Sequence, residues 1–185
     1  MSDRIVIEQG SPTLAGLKPA SMFSVFFDGT VGDFYREVRR INRILVPKGM
    51  RFVPLCIAGR RALMLLYREA QLQRELGQSE VQHILTGLGY DCRNVYEYIS
   101  EISRRIRQEK AFPHEIGLFL GYPPADVLAF MQDRCACCKA VGCWKAYGNE
   151  EEAEAVFRRY RLCTQNYCRA YERGRTLSDL AVMTA

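Results

Sequence analysis

Short apolar segments rich in aromatic and branched residues are separated by turn signals along this chain. The segments are Met22–Phe27, Arg51–Cys56, Ala62–Tyr67 and Cys143–Tyr147. Such residue types favour β-strands. The sequence Ala58-Gly59-Arg60-Arg61 predicts a hairpin turn between the second and third segments, and Pro54 predicts that the second is an edge strand or carries a bulge. We therefore predict one sheet that contains all four segments.

Other segments have apolar residues at the spacing of a helix face. The apolar faces are Phe34, Val38, Ile41 and Leu45; Val81, Ile84, Leu85 and Leu88; and Val95, Ile99, Ile102 and Ile106. Three more helices are predicted: a short one over Pro124–Met131, a long one from Asn149 to Arg173, and a short one from Thr176. Capping signals are Thr30 with Asp33, Ser79 with Gln82, Asn149 and Thr176.

These patterns predict an α+β fold, with a small mixed sheet of about four strands covered by about five helices. The length of 185 residues predicts a single domain over residues 1–185. Residues 1–20 are mixed and contain glycine and proline, so we predict an ordered segment there without a defined element.

Composition narrows the class of protein. The chain is 48% hydrophobic and 25% charged, which is typical of globular proteins and excludes general disorder. No apolar run approaches the ~20 residues of a membrane-spanning helix, and the first residues lack a signal-peptide pattern, so we expect a cytoplasmic protein. The net charge of +5 makes the chain only mildly basic, whereas nucleic-acid-binding proteins typically concentrate positive charge on one face, so we do not expect nucleic acid as a partner.

The chain has eight cysteines, and four of them are close together in sequence. In the cytoplasm they would be reduced thiols or metal ligands. Cys163 and Cys168 are five positions apart on a predicted helix, so their side chains diverge by roughly 140° and cannot share one metal. We expect mostly unpaired thiols. The alternative is a metal site formed by Cys135, Cys137, Cys138 and Cys143.

His114 and Glu115 are the candidate catalytic residues. Histidine can transfer protons near neutral pH, and a nearby carboxylate can act as a base. Adjacent residues point in different directions, however, so a purely structural role for both side chains is the alternative. The zinc-protease pattern His-Glu-x-x-His is absent.

A second group of residues is suited to binding a small anionic or planar ligand. Lysine and arginine can hold an anion, while tryptophan and tyrosine can stack on a planar group. The group comprises Lys18, Arg68, Trp144, Lys145 and Tyr147. The alternative is a half-buried strand whose long basic side chains extend towards water.

Three stretches together resemble a known family. They are Ser11–Lys18 (SPTLAGLK), Phe112–Pro123 (FPHEIGLFLGYP) and Gly142–Tyr147 (GCWKAY). In this order, and in a chain of this length, they resemble domain-of-unknown-function family 3793 of anaerobic bacteria. The resemblance implies no established activity, but it suggests a link to iron or redox metabolism. It also makes stronger candidates for site residues of five positions within these stretches: Lys18, His114, Glu115, Trp144 and Lys145.

Three functions follow as hypotheses. The first is a small-ligand-binding or regulatory protein linked to iron or redox metabolism, the second an enzyme that uses His114 and Glu115 as acid and base, and the third a cysteine-ligated metal protein. For the first two we predict that Pro113–Gly121 packs beside Trp144–Tyr147. His114 or Glu115 would then share a cleft with Lys145 and with Lys18.

Overall fold

A computed structural model describes residues 2–108, 111–133 and 137–183. The helices are α1 (Asp3–Leu14), α2 (Val31–Leu45), α3 (Glu69–Leu76), α4 (Ser79–Gly87), α5 (Val95–Gln108), α6 (Ile116–Phe119), α7 (Pro124–Gln132), α8 (Glu150–Glu172) and α9 (Leu177–Leu180). The strands are β1 (Ala20–Phe26), β2 (Met50–Ala58), β3 (Arg61–Arg68), β4 (Ala140–Val141) and β5 (Lys145–Ala146). The predicted α+β class is confirmed.

The main sheet has three antiparallel strands in the order β1-β3-β2. The predicted hairpin joins β2 and β3, and Gly59 adopts a φ of 58° in its turn. Such a left-handed conformation is readily available to glycine. Pro54 lies on the edge strand β2, next to a register shift between Pro54 and Cys56. Both alternatives for this proline, an edge position and a bulge, are therefore present.

Each face of the sheet is covered by a separate hydrophobic core. Met64 and Leu66 of β3 face a core shared with α1, α2 and α9. Leu65 and Tyr67 face a second core shared with α3 to α7. Successive residues of a strand point to opposite faces, so a strand buried on both sides has an unbroken apolar sequence. This explains the composition of Ala62–Tyr67.

The prediction of a single sheet is wrong for the fourth segment. Within Cys143–Tyr147 only Lys145–Ala146 is a strand, and it pairs with Ala140–Val141 in a separate two-stranded ribbon. The larger sheet is antiparallel rather than mixed. The ribbon packs instead on α8, where a Cβ atom at Gly142 would come within 2.4 Å of the Phe157 ring. The Cys143–Tyr147 segment therefore packs against α8 and does not form a fourth strand of the main sheet.

The structure also contains helices that the pattern did not predict, notably α1 and α3. Gly10 and Pro12 obscured α1, although Pro12 lies within the helix. Gly10 has a packing reason, since a Cβ atom there would come within 2.5 Å of the Leu66 side chain. Helix α1 therefore packs closely against β3 at Gly10, where a larger residue would require the Leu66 side chain to move.

Three of the four capping predictions are confirmed. Thr30 and Thr176 form capping boxes with Asp33 and Asp179, and the Asn149 side chain accepts a hydrogen bond from the Glu152 backbone N–H. The fourth prediction is wrong, because Ser79 already lies inside α4. The Gln82 side chain instead donates hydrogen bonds to the Leu76 carbonyl and the Tyr98 hydroxyl, so it connects helices.

Candidate functional site

The segment that contains α6 and α7 folds tightly because of two glycines. A Cβ atom at Gly117 would come within 2.8 Å of the Val127 side chain, so α6 lies directly against α7. Gly121 has a φ of 72°, and a Cβ atom there would come within 2.6 Å of Pro19. The Gly-punctuated sequence therefore reflects close packing and a left-handed turn.

Asp126 of α7 holds the β4–β5 ribbon in place. Its Oδ1 atom accepts hydrogen bonds from the backbone N–H groups of Tyr147 (2.8 Å) and Gly148 (3.0 Å). Its Oδ2 atom accepts one from the Trp144 Nε1–H (2.9 Å). The side chain is buried, and these three donors compensate its charge. These contacts with the ribbon come from α7, which follows the Pro113–Gly121 segment of the prediction in the chain.

A cavity of about 390 Å³ lies between α6, α7, the ribbon and one residue of β1. Most of its lining is aliphatic, aromatic or glycine. The lining residues are Met22, His114, Ile116, Gly117, Leu120, Tyr122, Asp126, Val127, Phe130, Val141, Gly142, Trp144 and Lys145. Small-molecule sites typically occupy about 300–1,000 Å³ and combine such apolar walls with a few polar groups.

Aromatic contacts organise the polar groups of this cavity. The His114 ring meets the Phe130 ring edge-on at 5.0 Å between centroids. The Lys145 Nζ atom lies 5.6 Å from the centroid of the same ring. Phe130 therefore contacts both an imidazole and an ammonium group, and cation–π attraction favours the contact with the ammonium.

Trp144 forms part of the cavity wall. Its indole stacks on Tyr122 at 5.1 Å and meets Phe157 edge-on at 4.5 Å. The indole N–H is already donated to Asp126. Trp144 can therefore offer apolar surface to a ligand, whereas its hydrogen-bonding group serves the protein.

Glu115 does not line this cavity. It is buried, and its Oε1 atom accepts a hydrogen bond from the Tyr90 hydroxyl (3.0 Å) and lies 3.5 Å from Arg105 Nη1. Burial raises the pKa of Tyr90, and the Glu115 carboxylate raises it further, so Tyr90 remains a neutral hydrogen-bond donor. His114 and Glu115 thus have separate surroundings, and the geometry lends no support to an acid–base pair.

Arg68 is also remote from the cavity. It is buried at the end of β3, where its guanidinium donates to the carbonyls of Thr13 (2.5 Å), Leu14 (2.5 Å) and Val182 (2.7 Å). Burial lowers the pKa of Arg68. These bonds connect α1, β3 and the segment after α9, which is a structural role.

Lys18 and Tyr147 complete the predicted binding group. Lys18 lines a different cavity, beside Cys143 and Tyr160. Tyr147 is half-buried, and its backbone N–H is held by Asp126. The structure therefore brings together His114, Trp144 and Lys145, and it places Lys18, Arg68, Glu115 and Tyr147 elsewhere.

The seven cysteines within the described residues are free thiols, and burial raises the pKa of Cys163 to about 11. Cys135 of the alternative metal site lies outside the described residues. Over residues 2–108, 111–133 and 137–183, no group of three or more His, Cys, Asp or Glu residues is arranged to hold a metal ion.

The sequence did not reveal Asp126, Tyr122 or Phe130 as site residues. Asp126 is the third residue of α7, where an acidic residue is typical of any helix start. Tyr122 and Phe130 had no signal beyond their apolar character. Only the tertiary packing of α7 on the ribbon makes the three part of one site.

The fold and the cavity define an α+β protein with a largely apolar pocket between a helical segment and a small ribbon. None of the helices in the described part of the chain is long and apolar enough to span a bilayer. A family model described as "Protein of unknown function (DUF3793)" matches residues 6–181, so the chain belongs to this family. Searches of curated proteins and of solved structures gave no match.

Proposed function

We propose that this protein binds a small, largely apolar ligand with one anionic group in the cavity lined by His114, Trp144 and Lys145. The observation that carries the proposal is the composition of that cavity. Its walls are apolar and aromatic, while Lys145 supplies a positive charge. The one carboxylate in the lining, Asp126, already accepts three hydrogen bonds.

The cavity favours an aromatic or otherwise flat ligand body. Apolar surface that a ligand buries here contributes roughly 25 cal/mol per Å². The Lys145 ammonium, over the Phe130 ring, would pair with a carboxylate, sulfonate or phosphate at one end of the ligand. His114 beside it can donate or accept a hydrogen bond.

The proposal includes a biological setting. The family resemblance suggests that the ligand belongs to iron or redox metabolism and that the protein acts in the cytoplasm as a binding or regulatory protein. Native mass spectrometry with metal analysis, on protein purified anaerobically from its own source, would identify a retained ligand. Recovery of an aromatic or flavin-like anion would support this setting.

Fluorescence titration tests the cavity itself, because Trp144 is the single tryptophan of the chain. The probes are 1-anilinonaphthalene-8-sulfonate and N-phenyl-1-naphthylamine, which share an aromatic body but differ in the anionic group. We expect both probes to accept energy transfer from Trp144. Lys145→Met should weaken binding of the sulfonate about fivefold, equivalent to about 1 kcal/mol, and leave the neutral probe unchanged.

The matched control is Lys139→Met, because Lys139 is exposed and lines neither this cavity nor the one beside Lys18. It should bind both probes like the wild type. Equal affinity of wild type and Lys145→Met for the sulfonate probe would contradict the role of Lys145. Absence of energy transfer from Trp144 with either probe would contradict the cavity as a binding site.

A further inference from the structure

A second cavity, of about 360 Å³, lies between α1, the segment that follows it, β1, the ribbon turn and α8. Its lining residues are Gln9, Pro12, Lys18, Ser21, Cys143, Tyr160, Arg161, Thr164 and Gln165. None of these residues lines the cavity of the proposed function. The two cavities are therefore separate sites, although neighbouring residues of the ribbon turn contribute to each.

Lys18 is the unusual residue of this second cavity. Its relative exposure is 7%, and within the described residues it makes no hydrogen bond and no ion pair. Among the described residues, its ammonium makes cation–π contacts instead: Nζ lies 5.3 Å from the centroid of the Tyr122 ring and 5.7 Å from that of the Tyr160 ring. A buried ammonium without an anionic partner is costly, and two tyrosine rings compensate only part of that cost.

The surroundings of Lys18 are suited to a negatively charged guest. No carboxylate occurs among the lining residues, and the exposed Arg161 adds a second positive charge. Ser21, Thr164 and the two glutamines add hydroxyl and amide donors. The Ser21 hydroxyl lies 2.8 Å from the Thr13 hydroxyl, which fixes its position at the cavity wall.

We propose that this cavity is a second binding site, for a small anion that carries a carboxylate or phosphate group, with the Lys18 ammonium as its counter-ion. The oxygens of the anion accept hydrogen bonds from Lys18 and from the hydroxyl and amide groups of the lining. Arg161 at the rim attracts the anion towards the opening. This inference does not depend on a ligand in the first cavity.

Burial gives this site a pH dependence. It lowers the pKa of Lys18 to about 8, while a Cys143 thiolate would act in the opposite direction. The other titratable or charged groups that face Lys18 are Tyr122, Tyr160 and Arg161, and the pKa values of both tyrosines are raised by burial. Near pH 8 the Lys18 ammonium therefore loses its proton, and an anion binds to its protonated form.

Isothermal titration calorimetry of the full chain tests the proposal with two probes, inorganic phosphate and malonate, at constant ionic strength. We expect at least one probe to bind at pH 7, and its affinity to fall about tenfold by pH 9, because the fraction of protonated Lys18 falls by that factor. The probe that binds distinguishes a phosphate site from a carboxylate site. Lys18→Met should weaken binding at least tenfold, whereas the exposed-lysine control Lys139→Met should bind normally.

A second measurement uses only the wild-type protein. An N-hydroxysuccinimide ester acylates uncharged lysine amines, and peptide mass spectrometry reports the rate at Lys18. The bound probe should slow acylation of Lys18 at least fivefold at pH 8, while equal ionic strength of sodium chloride should not. Failure of both probes to bind below 10 mM (roughly 2.7 kcal/mol of binding free energy) would overturn the proposal. Equal binding by Lys18→Met, or acylation of Lys18 that neither probe slows, would overturn it as well.

Discussion

Two buried cations near the C-terminal end of α1 have opposite surroundings. Arg68 is 1% exposed and donates to three backbone carbonyls, two of which belong to the last residues of α1. Lys18 is 7% exposed, and within the described residues its ammonium makes no hydrogen bond or ion pair and contacts only two tyrosine rings. The planar fork of arginine reaches several acceptors at once, whereas a lysine ammonium is a point charge on a flexible chain.

The difference shows that burial alone does not identify a functional residue. Arg68 contributes to stability because its guanidinium donates hydrogen bonds to three backbone carbonyls of the fold. The buried ammonium of Lys18 lowers the free energy of unfolding, and only an added anion would compensate this cost. The two buried carboxylates among the described residues resemble Arg68 in this respect, since both Asp126 and Glu115 accept hydrogen bonds from the protein.

The largest expected change in stability comes from replacing Arg68, the buried cation whose guanidinium is hydrogen-bonded within the protein. Arg68→Met should lower the free energy of unfolding by roughly 4 kcal/mol, because three charge-assisted hydrogen bonds from a buried guanidinium to backbone carbonyls are lost. Denaturant unfolding followed by circular dichroism measures this change.

The control for this change is Arg43→Met, on the exposed face of α2, which should change stability by no more than about 0.5 kcal/mol. A loss at Arg68 as small as that at Arg43 would show that the carbonyls find other donors. Arg68 and Lys18 would then not differ in the way described.

Replacement of Lys18 should instead raise the free energy of unfolding. A pKa that falls from 10.5 to about 8 corresponds to an unfavourable free energy of about 3 kcal/mol for the buried ammonium. Lys18→Met removes this cost but also loses the contacts with two tyrosine rings, worth roughly 1 kcal/mol. At pH 7, in a buffer without phosphate or carboxylates, the variant should therefore unfold with a free energy about 2 kcal/mol higher.

The same denaturant titration measures this gain. Lower stability of Lys18→Met than of wild type would contradict the idea of an uncompensated charge, and would place Lys18 in the same class as Arg68. Lys139→Met should remain within about 0.5 kcal/mol of wild type, because it is exposed.

The sequence predicted the local features of the fold well. Apolar spacing identified α2 and α5, residue types identified the three strands of the main sheet, and Pro54 indicated an edge strand or a bulge in β2, of which both are present. These features depend on residues close together in the chain. Helix α1 was not predicted because Gly10 and Pro12 are atypical of a helix interior, and Gly10 packs closely against the side chain of Leu66, which is distant in the chain. The position of Lys145–Ala146 outside the main sheet likewise depends on contacts with α7 and α8, which the residues of the ribbon alone do not indicate.

The sequence was less informative about the site. It identified His114, Trp144 and Lys145, which do line one cavity, but it grouped them with Arg68 and Glu115. Residue type shows that a side chain can bind an anion, but it does not show whether the fold already occupies its donors. Asp126 was missed for the converse reason, because its three donors come from a segment about 20 residues later in the chain.

The smallest expected effect is also the most specific to Lys18, and it concerns pH. Between the folded pKa of about 8 and the unfolded value of 10.5, the unfolded chain binds more protons at Lys18 than the folded protein does. The free energy of unfolding therefore rises with pH in this range, and by about 1 kcal/mol between pH 7 and pH 9. Lys18→Met lacks this contribution, so its stability advantage over wild type should shrink by that amount. Titratable groups that do not interact with Lys18 are present in both proteins, and their effects cancel in the difference. Arg43→Met should follow the pH dependence of the wild type. An advantage of Lys18→Met that stays constant from pH 7 to pH 9 would show that the Lys18 ammonium keeps its proton, and hence that an anionic partner within the protein already holds it.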